Sequence, residues 1–221
     1  MKQSTMSSTL TSENLSESED ERSQELGTVA FIYSEELTIL SPFSGAVSLP
    51  VSPVEPLPVT FPPDDSPTRL QHLPSIKLKF DLPETYPHEA PPVIELTTSL
   101  GWLPVEKLEV LKAQCLGLWE EYGRSQVVFA IVDHVQQCIE RGLDISGALI
   151  VPAELREQLV AFDKETKREK FEQETYECGI CLEPKKGVLC HQLRSCTHVF
   201  CQMCLQVSGI VFVVEETAQL I

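Results

Sequence analysis

Cysteine placement constrains the fold of this chain more than any other feature, because six of its eight cysteines fall in the last fifth of the sequence. Five of these six cysteines, together with His198, form a regular pattern. It reads Cys178-x2-Cys181, then fourteen residues, then Cys196-x-His198-x2-Cys201-x2-Cys204. Two cysteines on a tight turn bring both sulfurs within about 2.3 Å of one zinc ion. The pattern therefore predicts a zinc-binding module near the end of the chain.

A redox-active pair is the alternative to zinc at this pattern. Cys178-Gly179-Ile180-Cys181 would by itself qualify as a redox CxxC motif. The downstream cysteines and His198 have no part in that chemistry, so the full pattern favours zinc.

Charge and targeting signals narrow the class of partner and the compartment. The 17 lysines and arginines and the 33 acidic residues give a net charge of −16. Such a chain lacks the basic surface that nucleic acids or anionic membranes require, so we expect neither as a partner. No apolar run reaches the roughly 18–20 residues of a membrane span, and the Ser/Thr/Glu-rich start does not resemble a secretory signal. We therefore expect a reducing compartment, the cytoplasm, with the nucleus as a second location.

The first half of the chain divides by composition. Residues 1–23 are polar, low in complexity and acidic, which predicts a disordered tail. A helical pattern follows over residues 24–33. Thirteen of the sixteen prolines lie between Pro42 and Pro92, which predicts short edge strands, turns and extended pieces. Within this stretch Ile76–Phe80 alternates apolar and basic residues, as a half-buried strand does, and Val93–Leu96 is a second candidate strand.

Three helices are predicted in the second half. Apolar residues recur at helical spacing over 104–122 and again over 126–141, and each stretch ends at a glycine. The predicted buried faces are Leu108, Leu111, Cys115, Leu118 and Tyr122 in the first helix and Val128, Ile131, Val132, Val135 and Ile139 in the second. Cys115 and Cys138 lie on these apolar faces, so we expect packed thiols and not nucleophiles. A link and a third, strongly charged helix over 143–177 lead to the cysteine-rich segment.

A proline-rich motif carries the first family resemblance. Tyr86-Pro87-His88-Glu89-Ala90-Pro91-Pro92 lies between a predicted strand and two helices, and this arrangement resembles the RWD domain. The resemblance implies an α+β fold over 24–142, an antiparallel sheet packed with helices and related to ubiquitin-conjugating enzymes. It also implies a protein partner. Catalysis as a conjugating enzyme is not expected, because residues 93–103 contain neither the cysteine nor the His-Pro-Asn turn of those enzymes.

The cysteine pattern over 178–205 carries the second resemblance, to the first six ligands of a RING finger. With the preceding charged helix it resembles the first RING of RING-between-RING ubiquitin ligases that carry an N-terminal RWD domain. The resemblance implies that Cys178, Cys181, Cys201 and Cys204 hold one zinc, while Cys196 and His198 begin a second site. It further implies docking of a ubiquitin-conjugating enzyme, with Ile180 as a contact. The alternative for Ile180 is a small core residue under the turn.

The chain departs from the RING pattern after Cys204, because residues 205–221 contain no further cysteine or histidine. We therefore expect one complete zinc site and one incomplete site. Cys190 and His191 are the available substitutes, but tetrahedral geometry disfavours them, and we interpret Cys190 as structural. The segment 206–221 is an atypical tail with the apolar run 210–214, which we interpret as a truncated product or a misassembled reading frame.

Two functions follow from these resemblances. The first is a RING-between-RING ubiquitin ligase, or a truncated fragment of one, that binds zinc and recruits a conjugating enzyme. It would have no catalytic residue of its own, since the second RING with its acceptor cysteine is missing. The alternative is a non-catalytic RWD adaptor whose partial RING is inert.

Overall fold

The structure is a computed structural model that describes residues 20–193 and 196–207. Its helices are α1 (Glu21–Ile32), α2 (Val105–Glu121), α3 (Val128–Glu140), α4 (Arg156–Gln173) and α5 (Gln202–Val207). Its strands are β1 (Leu37–Ser41), β2 (Ser44–Val51), β3 (Leu57–Phe61), β4 (Asp64–Leu70), β5 (Leu73–Asp81), β6 (Val93–Thr98), β7 (Leu149–Ile150), β8 (Thr175–Glu177), β9 (Pro184–Lys186), β10 (Cys190–Gln192) and β11 (Val199–Cys201).

A four-stranded antiparallel sheet in the order β1-β2-β5-β6 forms the centre of the larger domain. The predicted strand over 76–80 is confirmed within the longer β5. Its apolar residues Ile76, Leu78 and Phe80 are buried, whereas Lys77 and Lys79 are exposed. The α+β fold with an antiparallel sheet and helices is therefore confirmed.

The proline-rich stretch differs from the prediction, because β2 and β5 are long and lie in the interior of the sheet. The positions of the prolines explain the difference. Pro50 occupies an irregularity between Leu49 and Val51, and Pro74 is the second residue of β5. Proline is tolerated at a bulge or a strand start, where no ladder hydrogen bond from its nitrogen is needed.

Helices α2 and α3 cover the sheet close to the predicted ranges. The buried face of α3 contains all five of the predicted residues Val128, Ile131, Val132, Val135 and Ile139. In α2 the predicted face is wrong at its end. Tyr122 lies beyond the last helical residue and is 57% exposed, while Trp119 is buried.

The two cysteines on these helices, Cys115 and Cys138, are buried, as predicted. Burial raises the pKa of the Cys115 thiol to about 12 and also raises the pKa of Cys138. A thiol that resists ionisation is a poor nucleophile, so these residues act as apolar side chains.

The proline-rich motif connects the sheet to the helices through hydrogen bonds. The Trp119 indole N–H donates to the Pro87 carbonyl at 2.7 Å, and the backbone N–H of Val127 donates to the Tyr86 hydroxyl at 2.8 Å. Helix α3 begins after Val127, which offers no capping side chain. Tyr86 therefore caps α3 from a distant part of the chain.

Helix α4 is charged, as predicted, but its first half packs on the larger domain. Leu149, Val151 and Leu159 belong to the main core, and β7 pairs with β3 in parallel. The Asp163 carboxylate accepts hydrogen bonds from the backbone N–H groups of Gln71 (2.9 Å) and His72 (2.8 Å). Buried backbone donors need such partners, so Asp163 fixes α4 to the start of β5.

Both chain ends fall largely beyond the described residues. Residues 1–19 of the predicted acidic tail and residues 208–221, with the apolar run 210–214, lie outside them. Helix α1 begins at Glu21, three residues before the predicted start, because the Asp20 side chain accepts a hydrogen bond from the Arg22 N–H and caps it. Of the helices within the described part of the chain, none combines the length and apolar character needed to cross a bilayer.

Candidate metal centre

Four cysteines from two distant turns meet at one point. The Sγ atoms of Cys178, Cys181, Cys201 and Cys204 all lie within 4.8 Å of one another. Sulfurs that surround one zinc at about 2.3 Å in tetrahedral geometry stand about 3.8 Å apart, so the cluster has the size for a single ion. We call these residues the four-cysteine cluster. They are the four that the RING resemblance assigns to one zinc.

The first turn of the cluster lies between β8 and β9. The Leu182 N–H donates to the Cys178 carbonyl at 2.9 Å, and the Cys178 N–H donates to the Glu183 carbonyl at 3.1 Å. Leu182 has a φ of 59°, in the left-handed region that lets a chain reverse direction sharply. This geometry turns the Cys178 and Cys181 sulfurs toward the same side.

The second turn begins where β11 meets α5. Cys201 is the last residue of β11, and Cys204 follows three residues later within α5. The chain turns from strand to helix between them, and the two sulfurs lie within 4.8 Å of each other. The Gly179 N–H donates to the Val199 carbonyl at 3.0 Å and holds the first turn against β11.

Hydrogen bonds at the cluster favour a thiolate at Cys178. Burial of this thiol opposes its ionisation, but hydrogen bonds from the backbone N–H groups of Cys201 and Cys181 outweigh burial and lower its pKa to about 6. The Cys201 N–H lies 3.3 Å from the Cys178 sulfur. At Cys204 the hydrogen bond with the Cys201 side chain, together with burial, raises the pKa to about 12. A divalent ion would favour the thiolate form at all four positions, and four thiolate sulfurs are a suitable set of ligands for zinc.

Cys196 and His198 lie apart from the four-cysteine cluster. Cys196 is half-buried, His198 is exposed, and the His198 ring stacks against Phe200 at 6.3 Å between centroids. Across residues 20–193 and 196–207, no group of three or more metal-ligating side chains includes either residue. The assignment of this pair to a second zinc stays a prediction.

Cys190 and His191 sit on β10, directly opposite Cys201 and Phe200 of β11. Cys190 is buried, and burial raises the pKa of its thiol, in keeping with a packed structural residue. The Nδ1 atom of His191 is buried and has no hydrogen-bond partner among the described residues. Neither side chain joins the four-cysteine cluster.

Ile180 projects from the first turn and is 47% exposed, which argues against the alternative of a core residue. Other exposed apolar residues of the same module are Leu182, Val188, Leu189, Met203 and Val207. Sequence reasoning did not single these out, because their exposure depends on how the turns fold around the cluster. An exposed isoleucine between two predicted zinc ligands fits a residue that a partner protein covers.

Comparison with known proteins agrees with both resemblances. Residues 20–139 match the RWD domain family. The chain is 30% identical to the E3 ubiquitin-protein ligase itt1 of Schizosaccharomyces pombe, over 73% of this chain and 38% of that protein. It is 25% identical to the human E3 ubiquitin-protein ligase RNF14, over 61% of this chain and 38% of that protein. The chain thus spans about 38% of the length of these curated relatives.

Among solved structures, the RWD domain of mouse GCN2 is similar, with 19% identity and a TM-score of 0.41. The match covers 61% of this chain and 96% of the mouse domain. At this TM-score the likeness has no bearing on function.

Proposed function

The chain belongs to the RWD domain family, and from this premise we propose that it acts in ubiquitin ligation of the RING-between-RING type. In this proposal the cysteine-rich module binds zinc and recruits a ubiquitin-conjugating enzyme, while the RWD domain binds a further protein partner. The curated relatives that match are E3 ubiquitin-protein ligases, which supports the proposal.

The four-cysteine cluster is the observation that carries the proposal. Nineteen residues lie between Cys181 of the first turn and Cys201 of the second, yet the four sulfurs lie within 4.8 Å of one another. Four cysteine sulfurs that converge in this way are typical of structural zinc sites. Cys196 and His198 would begin a second, incomplete site.

Thioester transfer of ubiquitin is not part of the proposal for this chain. Such transfer needs an accessible cysteine that ionises readily. Cys115, Cys138 and Cys190 are buried thiols with raised pKa values. The four-cysteine cluster would be occupied by zinc, and Cys196 is a proposed ligand of the second site. We therefore assign no catalytic residue.

Metal content tests the zinc site directly. We expect the purified chain to hold one tightly bound zinc, measured by elemental analysis, and Cys178→Ser to lose it because three sulfurs cannot close the tetrahedral shell. Cys190→Ser is the matched control, since Cys190 is a buried thiol of the same module outside the cluster. Two tightly held zincs would contradict the incomplete second site, and none would contradict the proposal.

Titration with purified ubiquitin-conjugating enzymes tests recruitment. We expect binding by the zinc-loaded chain and roughly tenfold weaker binding by Ile180→Ala, as for an apolar residue at the centre of an interface. Ile39→Ala is the matched control, because Ile39 is an exposed isoleucine on β1, outside the cysteine-rich module.

A non-catalytic adaptor is the second candidate function, and the RWD match over more than half of the chain favours it. Zinc loading without binding of any conjugating enzyme would support the adaptor over the ligase.

A further inference from the structure

A cavity of about 300 Å³ lies where three parts of the chain meet. His72 lines it from the start of β5, Lys170 and Phe171 from the last turns of α4, and Tyr176 from β8. We call it the junction cavity. Its volume is at the lower end of the roughly 300–1,000 Å³ typical of small-molecule sites.

A buried histidine supplies a hydrogen-bond donor to the junction cavity. His72 is only 7% exposed, and its Nδ1 lies 2.7 Å from the Ser52 hydroxyl oxygen. That oxygen also accepts a hydrogen bond from the Lys170 ammonium at 3.4 Å. With Lys170 donating to one lone pair of the Ser52 oxygen, the hydroxyl hydrogen is free to be donated to Nδ1, and in that tautomer the proton of the neutral imidazole lies on Nε2. Nε2–H is then the ring group left for a ligand.

The rim of the junction cavity is cationic, although the chain as a whole carries a net charge of −16. Lys167, Arg168 and Lys170 all line it. Lys167 is paired with Asp163 and Arg168 with Glu165, whereas the ion pairs of the described residues include none with Lys170. One carboxylate, Glu174, also lines the cavity, and it accepts a hydrogen bond from the Tyr176 hydroxyl at 2.8 Å.

An aromatic pair forms the apolar wall of the junction cavity. The rings of Phe171 and Tyr176 stack with their centroids 4.6 Å apart. A flat apolar group packs well against such a wall.

We propose that the junction cavity binds a small organic anion, a carboxylate or phosphate attached to a flat apolar group. The oxyanion contacts Lys170 and the Nε2–H of His72, and the flat group lies against Phe171 and Tyr176. This site is independent of the proposed ligase function, and it would link the RWD domain to the cysteine-rich module through one ligand.

Direct binding of simple probes to the full chain tests this site. We expect phenyl phosphate or benzoate to bind at least about tenfold more tightly than inorganic phosphate, measured by calorimetry, because only the organic anions use the aromatic wall. Which of the two binds more tightly identifies the oxyanion. Binding should also shift the Nε2 resonance of His72 in nitrogen NMR spectra.

Matched variants separate this site from a general attraction of anions. Lys170→Met should weaken binding at least about tenfold, since it removes a charged hydrogen bond, and Ser52→Ala should weaken it by a smaller factor. Lys164→Met removes the same charge from an exposed position of α4 outside the cavity and should leave binding unchanged. Lys170 and Lys164 are both exposed, so the unfolding curves of the two lysine variants should match the curve of the parent chain.

Three outcomes would overturn the proposal. One is the absence of binding by both organic anions. Another is equal weakening by Lys164→Met and Lys170→Met, which would show a nonspecific charge effect. The third is binding without any change at the His72 ring.

Discussion

Glu25 is a buried carboxylate that reaches from α1 to the first turn of α3. Its Oε1 accepts a hydrogen bond from the Val128 N–H at 2.7 Å, while its Oε2 is buried with no hydrogen-bond partner in the described part of the chain. Burial raises the pKa of Glu25, and the nearby Tyr86 hydroxyl and backbone N–H groups offset this only in part. The protonated form is therefore favoured more in the folded chain than in the unfolded one.

The raised pKa of Glu25 makes stability depend on pH. The contribution is fully present below the unfolded pKa of about 4.5 and is lost as pH rises through the raised folded value. A tenfold difference in proton affinity is worth about 1.4 kcal/mol. We expect the free energy of unfolding of Glu25→Gln, measured in urea between pH 4 and pH 8, to lose this part of the pH dependence. At high pH the variant should therefore become more stable relative to the parent chain than it is at low pH.

Glu121→Gln is the control for this prediction, because Glu121 is exposed at the end of α2. This variant removes an exposed carboxylate and leaves the buried carboxylate of Glu25 in place. If both variants follow the same pH profile, the account of Glu25 is wrong.

At the scale of elements, the cysteine-rich module is held to α4 by a close approach of two backbones. A Cβ atom added at Gly187 would overlap the Phe171 carbonyl oxygen. The Gly187 N–H also donates to the Glu174 carbonyl at 2.9 Å. No larger residue fits here without moving the module away from the helix.

Gly187→Ala should therefore separate the module from α4. We expect a loss of about 1–3 kcal/mol, typical of overpacking, measured as a lower midpoint of thermal unfolding and faster release of zinc to a chelator. Gly117→Ala on α2 is the control, since nothing lies within 4 Å of its added Cβ. There the change should raise stability by about 0.5–1 kcal/mol, because alanine favours a helix. Equal effects at both glycines would contradict the close approach.

At the scale of the whole molecule, the two parts depend on different stabilising forces. The RWD domain has a continuous apolar core that includes both tryptophans, Trp102 and Trp119. The core of the cysteine-rich module is a small cluster built mainly from cysteines, with Val199. Small modules of this kind need a metal, because their apolar core is too small to offset the loss of chain entropy.

Removal of zinc should therefore unfold only one part of the chain. With a strong chelator, we expect proteolytic cleavage within residues 178–207, while the tryptophan emission stays that of buried indoles. A zinc-binding free energy of roughly 10–16 kcal/mol is typical for such modules, so the effect should be large. A red shift of the tryptophan emission on chelation would show instead that the RWD core needs the metal.

Short stretches of sequence were enough to predict the features that a few consecutive residues encode. The spacing of the cysteines indicated zinc ligands, while the RING resemblance assigned Cys178, Cys181, Cys201 and Cys204 to one site. The apolar period of residues 126–141 indicated the buried face of α3. The period of two over 76–80 likewise predicted the exposed and buried faces of β5. Each of these signals is local, because ligand spacing and apolar period follow from the geometry of a few consecutive residues.

Contacts between distant segments could not be predicted from the sequence, because they depend on how the elements pack. Glu25 and Tyr86 cap α3 across more than forty residues, and Asp163 binds backbone groups at the start of β5 some ninety residues away. The junction cavity likewise combines His72 with α4 and β8. A buried polar residue has the same letter in the sequence as a solvated one, so its role depends on which unpaired backbone groups folding brings beside it.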